Sequence, residues 1–219
     1  MFWFSGMSLE NIILGILVRL FIIFCILPLH EFAHAFASHK LGDNTAKWMG
    51  RMTLDPIKHV HPMGAVCLML FGFGWARPVP VNPNYYKNRK VGLAIVSAAG
   101  PAANVVAAFA GMLVWRTLFA FNVDLPMLVS YVFMIFISIN LSLAVFNLIP
   151  IPPLDGFDIL ALFLPNKAVA FLERNSQVLR FALLALIFFG SFTIIGTVSG
   201  ALYDGLWFLV DGAFGLFGV

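Results

Sequence analysis

Charge is what this chain has least of. Only 11% of its 219 residues are Asp, Glu, Lys or Arg, while 61% are apolar and 24 are Phe. A soluble domain carries about 25% charged residues, so these side chains cannot clothe a globular surface. That excludes a soluble protein and a disordered one. Cysteine is scarce too: Cys25 and Cys67 both lie in apolar stretches and form no CxxC pair. A disulfide framework and a thiolate zinc knuckle are excluded. The net charge of +3 would raise nucleic acid as a partner of a soluble protein. In a lipid-embedded chain, Lys and Arg orient the loops instead, and no nucleic acid is expected. The opening MFWFSGMSLEN lacks a basic n-region, and no small-residue cleavage site follows the first apolar stretch, so the N-terminus is expected to be retained. Repeats and linkers are absent as well, and one domain over 1–219 is expected.

Apolar runs are what the chain has instead. A membrane helix needs about 20 apolar residues. Ile12 to about Ser38, Val91 to Phe121 and Leu125 to Ile149 meet that length, with NVDLP a turn between the last two. A short segment, Phe157 to Leu164, precedes a polar stretch, Pro165 to Gln177; two further runs, Val178 to Ile195 and Ala201 to Phe217, join near Gly196 to Gly200. Met63 to Trp75 is too short to span and contains Gly64, Gly72 and Gly74. Irregular backbone at membrane depth is tolerated where protein surrounds it, so a re-entrant or β-like hairpin is expected near residues 60–85. The fold class expected is an α-helical polytopic membrane protein with four to six transmembrane helices.

Charge placement tests that map. Of the 13 basic residues, all but Arg19 and Arg116 fall in three groups: Lys40, Lys47, Arg51 and Lys58; Arg77, Lys87, Arg89 and Lys90; Lys167, Arg174 and Arg180. The three groups share one side only if Met63 to Trp75 does not cross, and by the positive-inside rule that side is cytoplasmic. The N-terminus is then external and the C-terminus cytoplasmic. Arg19 reads as a residue snorkelling to the headgroups.

Ionisable residues inside an apolar run are functional by default. His30, Glu31 and His34 form the pentapeptide HEFAH. Histidines at i and i+4 share a helix face and can ligate one metal, while the adjacent Glu can reach the water that metal activates. This is the zinc metalloprotease pattern. Catalytic zinc needs a third protein ligand and an open position. Ala37 and Lys40 stand where a metzincin would have Gly and His, and Glu173, the downstream Glu, lies in a polar loop beside Arg174. His59 and His61 are chemically possible but sit among Pro56, Pro62 and the basic loop. Asp155 is the better candidate, because NLIPIPPLDG breaks the preceding helix with three prolines and turns at Gly156. The alternative is that Asp155 caps the short helix that follows. Asp158 reads as a cap or a supporting partner.

Taken with HEFAH, the segments GWARPVPVNP, SAAGPAAN and NLIPIPPLDG occur in the order found in the site-2 protease family of intramembrane zinc metalloproteases, which this chain resembles in its small form without a PDZ domain. The chain departs from that pattern in having Asp158 where a basic residue is common and His61 where Asp is common. The resemblance implies that His30, His34 and Asp155 bind one Zn2+ per chain and that Glu31 is the catalytic acid and base. It also implies that Asn104 contacts substrate or transition state and that Asn147 shapes the pocket. Asn104 reads equally well as an interhelical hydrogen bond in a Gly- and Ala-rich interface.

The activity expected is that of a zinc metalloendopeptidase cleaving peptide bonds in or near transmembrane segments, as in regulated intramembrane proteolysis. Its partners would be transmembrane protein or peptide substrates and the lipid bilayer, with room for a regulatory membrane partner or a homo-oligomer. Its place would be the cell membrane, multi-pass, with the site reached from the cytoplasmic side. The hairpin and GWARPVPVNP could offer a strand edge to an unwound substrate. Two other classes compete. A transporter could use Glu31, Asp155 and Asp158 as an ion relay, but no paired halves are visible and a relay needs no HExxH spacing. A zinc-holding protein without turnover would have no need of Glu31.

Overall fold

The computed structural model describes residues 9–71, 74–189 and 193–216. The expectation for the first residues, an external and retained N-terminus, lies outside them, as do residues 72–73 of the short apolar segment. Four helices are long and apolar enough to cross a membrane: Ile13–Lys40, Arg89–Ala120, Met127–Asn147 and Thr193–Gly215. The chain forms two compact units, Met1–Gly92 and Leu93–Val219.

In the first unit α1 (Leu9–Phe21) runs through a π-helical turn (Ile22–Ile26) into α2 (Leu27–Lys40). Pro28 accounts for the widened turn. It has no N–H for the carbonyl of Phe24, and its ring would crowd that carbonyl. The Leu27 N–H bonds the Ile22 carbonyl instead, which absorbs the conflict without a break. The 28-residue span is about 42 Å long against a hydrocarbon core of about 30 Å. HEFAH lies in its second half, about 9 to 15 Å along the axis from Lys40.

Short helices α3 (Thr45–Trp48), α4 (Pro56–His59) and α5 (Pro62–Phe71) follow. The segment expected to turn back does so. An antiparallel bridge joins Val60 to Ala76, and the Arg77 N–H donates to the His59 carbonyl at 2.7 Å. Residues 60 and 76 therefore lie side by side, with α5 between them. The re-entrant form is the one observed. The apolar part is helical, and strand character is confined to the bridge among the described residues. Gly64 makes the return possible: a Cβ there would lie 2.1 Å from the Trp75 carbonyl oxygen.

The boundary between the units falls within α6 (Arg89–Ala120), which carries Pro101 in its interior. In the second unit α7 (Met127–Asn147) follows after a short turn at Asn122, whose φ of 51° ends α6. Then come α8 (Asp155–Ala161), α9 (Asn166–Arg174), α10 (Ser176–Phe189) and α11 (Thr193–Leu216). Ala108 and Met112 of α6, Ile137 and Leu141 of α7 and Val210 of α11 form the buried core of this unit. Arg116, one of the two basic residues outside the loop groups, pairs with Asp211 of α11 at 3.0 Å.

The structure departs from the sequence-based reading in two places. Gly196 to Gly200 is not a junction but the interior of α11, and nothing lies within 4 Å of a Cβ at either glycine. Glycine is well tolerated inside a membrane helix, so it did not mark a turn. The polar stretch 165–177 holds a helix, α9, with Lys167 and Arg174 on a strongly two-faced sequence.

Candidate metal centre

His30 and His34 are buried on one face of α2, with their Nε2 atoms 3.0 Å apart. Two nitrogens each about 2.0–2.1 Å from one tetrahedral zinc are about 3.3 Å apart, so the pair needs little adjustment to share that ion. The donor chemistry also fits: two imidazoles with carboxylates available, and no thiolate. Glu31, between them in sequence and also buried, points its Oε2 at the backbone N–H of Val79, 3.1 Å away. One carboxylate oxygen is thus engaged by an amide that can only donate.

Basic groups stand near this carboxylate. Arg51 is buried and donates to the Arg77 carbonyl. Burial and the like charge of Arg77 lower its pKa, and the negative charge of Glu31 raises it in part. His59 and His61 are not drawn into the histidine pair. His59 is fully buried and donates from Nε2 to the Thr53 carbonyl at 2.7 Å. His61 accepts the Gly64 N–H at Nδ1, 3.2 Å, and lies beside the Trp75 ring. Both hold the re-entrant loop, as loop residues.

In the second unit Asp155 is the first residue of α8. The N-cap position belongs to Leu154, which makes no side-chain cap bond. Gly156 is required where it stands: a Cβ would lie 2.2 Å from the Leu148 oxygen. The NLIPIPPLDG turn therefore closes so tightly that backbone packs on backbone. Asp158 accepts a hydrogen bond from Ser97 of α6 at 2.7 Å, a supporting role. Glu173 on α9 is exposed, unsuited to a buried metal.

Asn104 is fully buried on α6 and donates to the Asn140 side-chain oxygen on α7 at 2.8 Å; Asn140 in turn donates to the Phe136 carbonyl. The interhelical bond weighed as one of its two readings is present. Asn147 sits in the last turn of α7, donating to the Leu143 carbonyl at 3.0 Å, directly before the proline-rich turn.

Comparison with known proteins identifies the family. A model described as peptidase family M50 matches residues 120–190. The chain is 31% identical to Rip2 of Mycobacterium tuberculosis (strain H37Rv) over 191 residues, 84% of this chain and 70% of that protein. The chain belongs to peptidase family M50. It is also 43% identical to YwhC of Bacillus subtilis (strain 168) over 141 residues, covering 63% of this M50 chain and 64% of YwhC. Rip2 of Mycolicibacterium smegmatis is 34% identical over 138 residues, 60% of this chain and 51% of that one. The names of all three class them as candidate zinc metalloproteases. The match thus spans between half and two thirds of the length of YwhC and the smegmatis protein. No solved structure matches.

Two features of the site escaped the sequence reading. The Val79 amide was not foreseen as the partner of Glu31, although Pro78 and Pro80 leave it the one N–H in a three-residue stretch. Asp43 is the other, although Asp-Asn-Thr after a helix end is a turn-forming pattern.

Proposed function

We propose that this membrane-embedded M50 chain is a zinc metalloendopeptidase that hydrolyses peptide bonds in or beside transmembrane segments of its substrates, as in regulated intramembrane proteolysis. The observation that carries this reading is the close His30–His34 pair on a membrane-length helix, with Glu31 beside it held by a backbone amide. His30, His34 and Asp155 hold the ion. Asp155 is assigned as third ligand because it opens α8 directly after the proline-rich break, on a turn closed by Gly156. A bound zinc supplies Lewis acidity, polarising the scissile carbonyl and lowering the pKa of water.

The protein's own residues do the rest. With Oε2 on the Val79 N–H, Glu31 uses Oε1 to take the proton of the attacking water and returns it to the leaving amine. Asn104, from the α6–α7 pair, contacts the substrate or transition state, and Asn147 shapes the pocket at the head of the proline-rich turn. Water reaches the site from the basic, cytoplasmic side, about 9 to 15 Å along α2 from Lys40. Substrates are transmembrane proteins or peptides that unwind before cleavage, because helical carbonyls are already hydrogen-bonded. A regulatory membrane partner or a second copy of the chain would govern access.

The test is metal content and cleavage together. Asp155→Ala and His34→Ala are each expected to lose bound zinc and cleavage of a transmembrane peptide. Full zinc content in Asp155→Ala would remove it from the ligand set.

A further inference from the structure

The non-helical segment 75–82 touches the metal-binding part of its unit at two backbone amides, and only one of them is held by Glu31. Three residues after Val79, the Asn82 N–H donates to Asp43 Oδ2 at 2.7 Å. The same oxygen takes the Ser38 hydroxyl at 2.9 Å, and Ser38 stands on α2 one turn beyond His34. Asp43 Oδ1 accepts from the Thr45 N–H at 2.9 Å and from the Thr45 hydroxyl. Ser38 has spent its one proton on Asp43, so the Tyr86 hydroxyl, 2.7 Å away, donates to Ser38. Asp43 and Ser38 are fully buried and Tyr86 nearly so. Room for the Tyr86 ring comes from Gly92, where a Cβ would lie 2.3 Å from it.

A buried carboxylate is an expensive way to close a loop, and it persists here because four donors converge on it. Those donors belong to the end of α2, the turn after it, and the segment that reaches Glu31. The segment is stiff. Pro78, Pro80 and Pro83 restrict φ around Val79 and Asn82, so fixing Asn82 fixes Val79 about 9 Å away along the chain. The Val79 side chain packs against Ala35 of α2 and Ala46. That contact holds the segment down without setting its register, since apolar packing is non-directional.

We propose that Asp43 is a positioning residue for Glu31: by pinning Asn82 to the end of α2 it sets the Val79 N–H against Glu31 Oε2 and leaves Oε1 for the reacting water. This rests on the reading of Glu31 as the base. Asp43 touches neither metal nor substrate, and its effect passes through the segment.

The test uses the full chain in detergent micelles, as wild type, Asp43→Ala, Asp43→Asn and Glu31→Gln. Zinc per chain, exchange of the Val79 amide, and kcat and KM on a transmembrane peptide are measured. Pro78 and Pro80 have no amide hydrogen, so Val79 gives the one exchange signal between them. Asp43→Ala is expected to keep one zinc per chain and to exchange Val79 faster. Its kcat should fall about tenfold to a hundredfold, the scale for loss of one hydrogen bond to a charged group, with KM nearly unchanged. Asp43→Asn, which keeps an acceptor oxygen in place, should recover part of both losses. Unchanged Val79 exchange overturns the proposal, and so does faster exchange with undiminished kcat, which would leave Asp43 a support of the fold alone. If Asp43→Ala does not fold, the same two readouts on Asp43→Asn decide. Full cleavage by Glu31→Gln would overturn the base assignment, whereas its loss alongside undiminished kcat in Asp43→Ala overturns the positioning role only.

Discussion

Gly156→Ala is a one-carbon change that should empty the metal site. The added Cβ would lie 2.2 Å from the Leu148 oxygen, 2.4 Å from the Leu148 carbonyl carbon and 2.7 Å from the Ile149 oxygen. All three are backbone atoms, so no side-chain rotation relieves the clash. Ordinary contact begins near 3.4 Å, and the start of α8 must retreat by about 1.2 Å to reach it. Overpacking of this kind costs about 1–3 kcal/mol, a loss the whole protein can survive. The neighbouring Asp155 moves with the backbone, and metal–ligand distances tolerate about 0.2 Å. Zinc content should therefore fall well below one per chain while the helical circular dichroism stays at the wild-type level. Gly200→Ala is the control, because nothing lies within 4 Å of its Cβ inside α11. It should keep its zinc and be as stable as the wild type or more so, by up to about 1 kcal/mol of helix propensity. Elemental analysis of the purified proteins reads the contrast. A Gly156→Ala protein with one zinc per chain and wild-type cleavage would refute the reasoning.

Three further outcomes are expected. Asn104→Ala and Asn140→Ala each remove the buried hydrogen bond between α6 and α7, costing about 0.5–1.5 kcal/mol in denaturation from detergent; a double mutant whose loss equals the sum of the singles would show that the two do not interact. Burial alone would raise the pKa of Asp43, but bonds from Thr45, Asn82 and Ser38 outweigh it and hold the carboxyl below its ordinary 3.8. The unfolded chain then binds more protons, so this stabilisation is present above about pH 4 and is lost as pH falls through the lowered value; an Asp43→Asn protein with the same acid-unfolding slope as wild type would contradict that. Removing metal with a chelator should abolish cleavage, and added zinc should restore it in the wild type but not in His34→Ala, as followed by gel assay of a transmembrane peptide.

Much of the site could be read without coordinates because its chemistry is local. HEFAH contains its own geometry: four residues make one helical turn, so the imidazoles of His30 and His34 had to share a face. Met63 to Trp75 betrayed its return through length and charge placement, and the Val60–Ala76 bridge is the physical form of that return. What stayed hidden depends on backbone groups, which leave no residue type behind. The Val79 amide is invisible in the letter V, and the bond to Glu31 spans 48 positions. Asp43 was hidden because its partners Ser38 and Asn82 come from separate stretches of the chain. Gly196 and Gly200 misled because glycine marks turns in water but sits easily within the long α11. Asn104 was legible as two alternatives, and the bond to Asn140 is one of them.

The account stands most directly on Glu31. Replacing it with Gln keeps the size and removes the charge that takes a proton from water. Zinc content and cleavage of a transmembrane peptide, measured on the same preparation, separate holding the metal from using it. One zinc per chain with cleavage lost is the predicted result; cleavage at the wild-type rate in Glu31→Gln would contradict the mechanism.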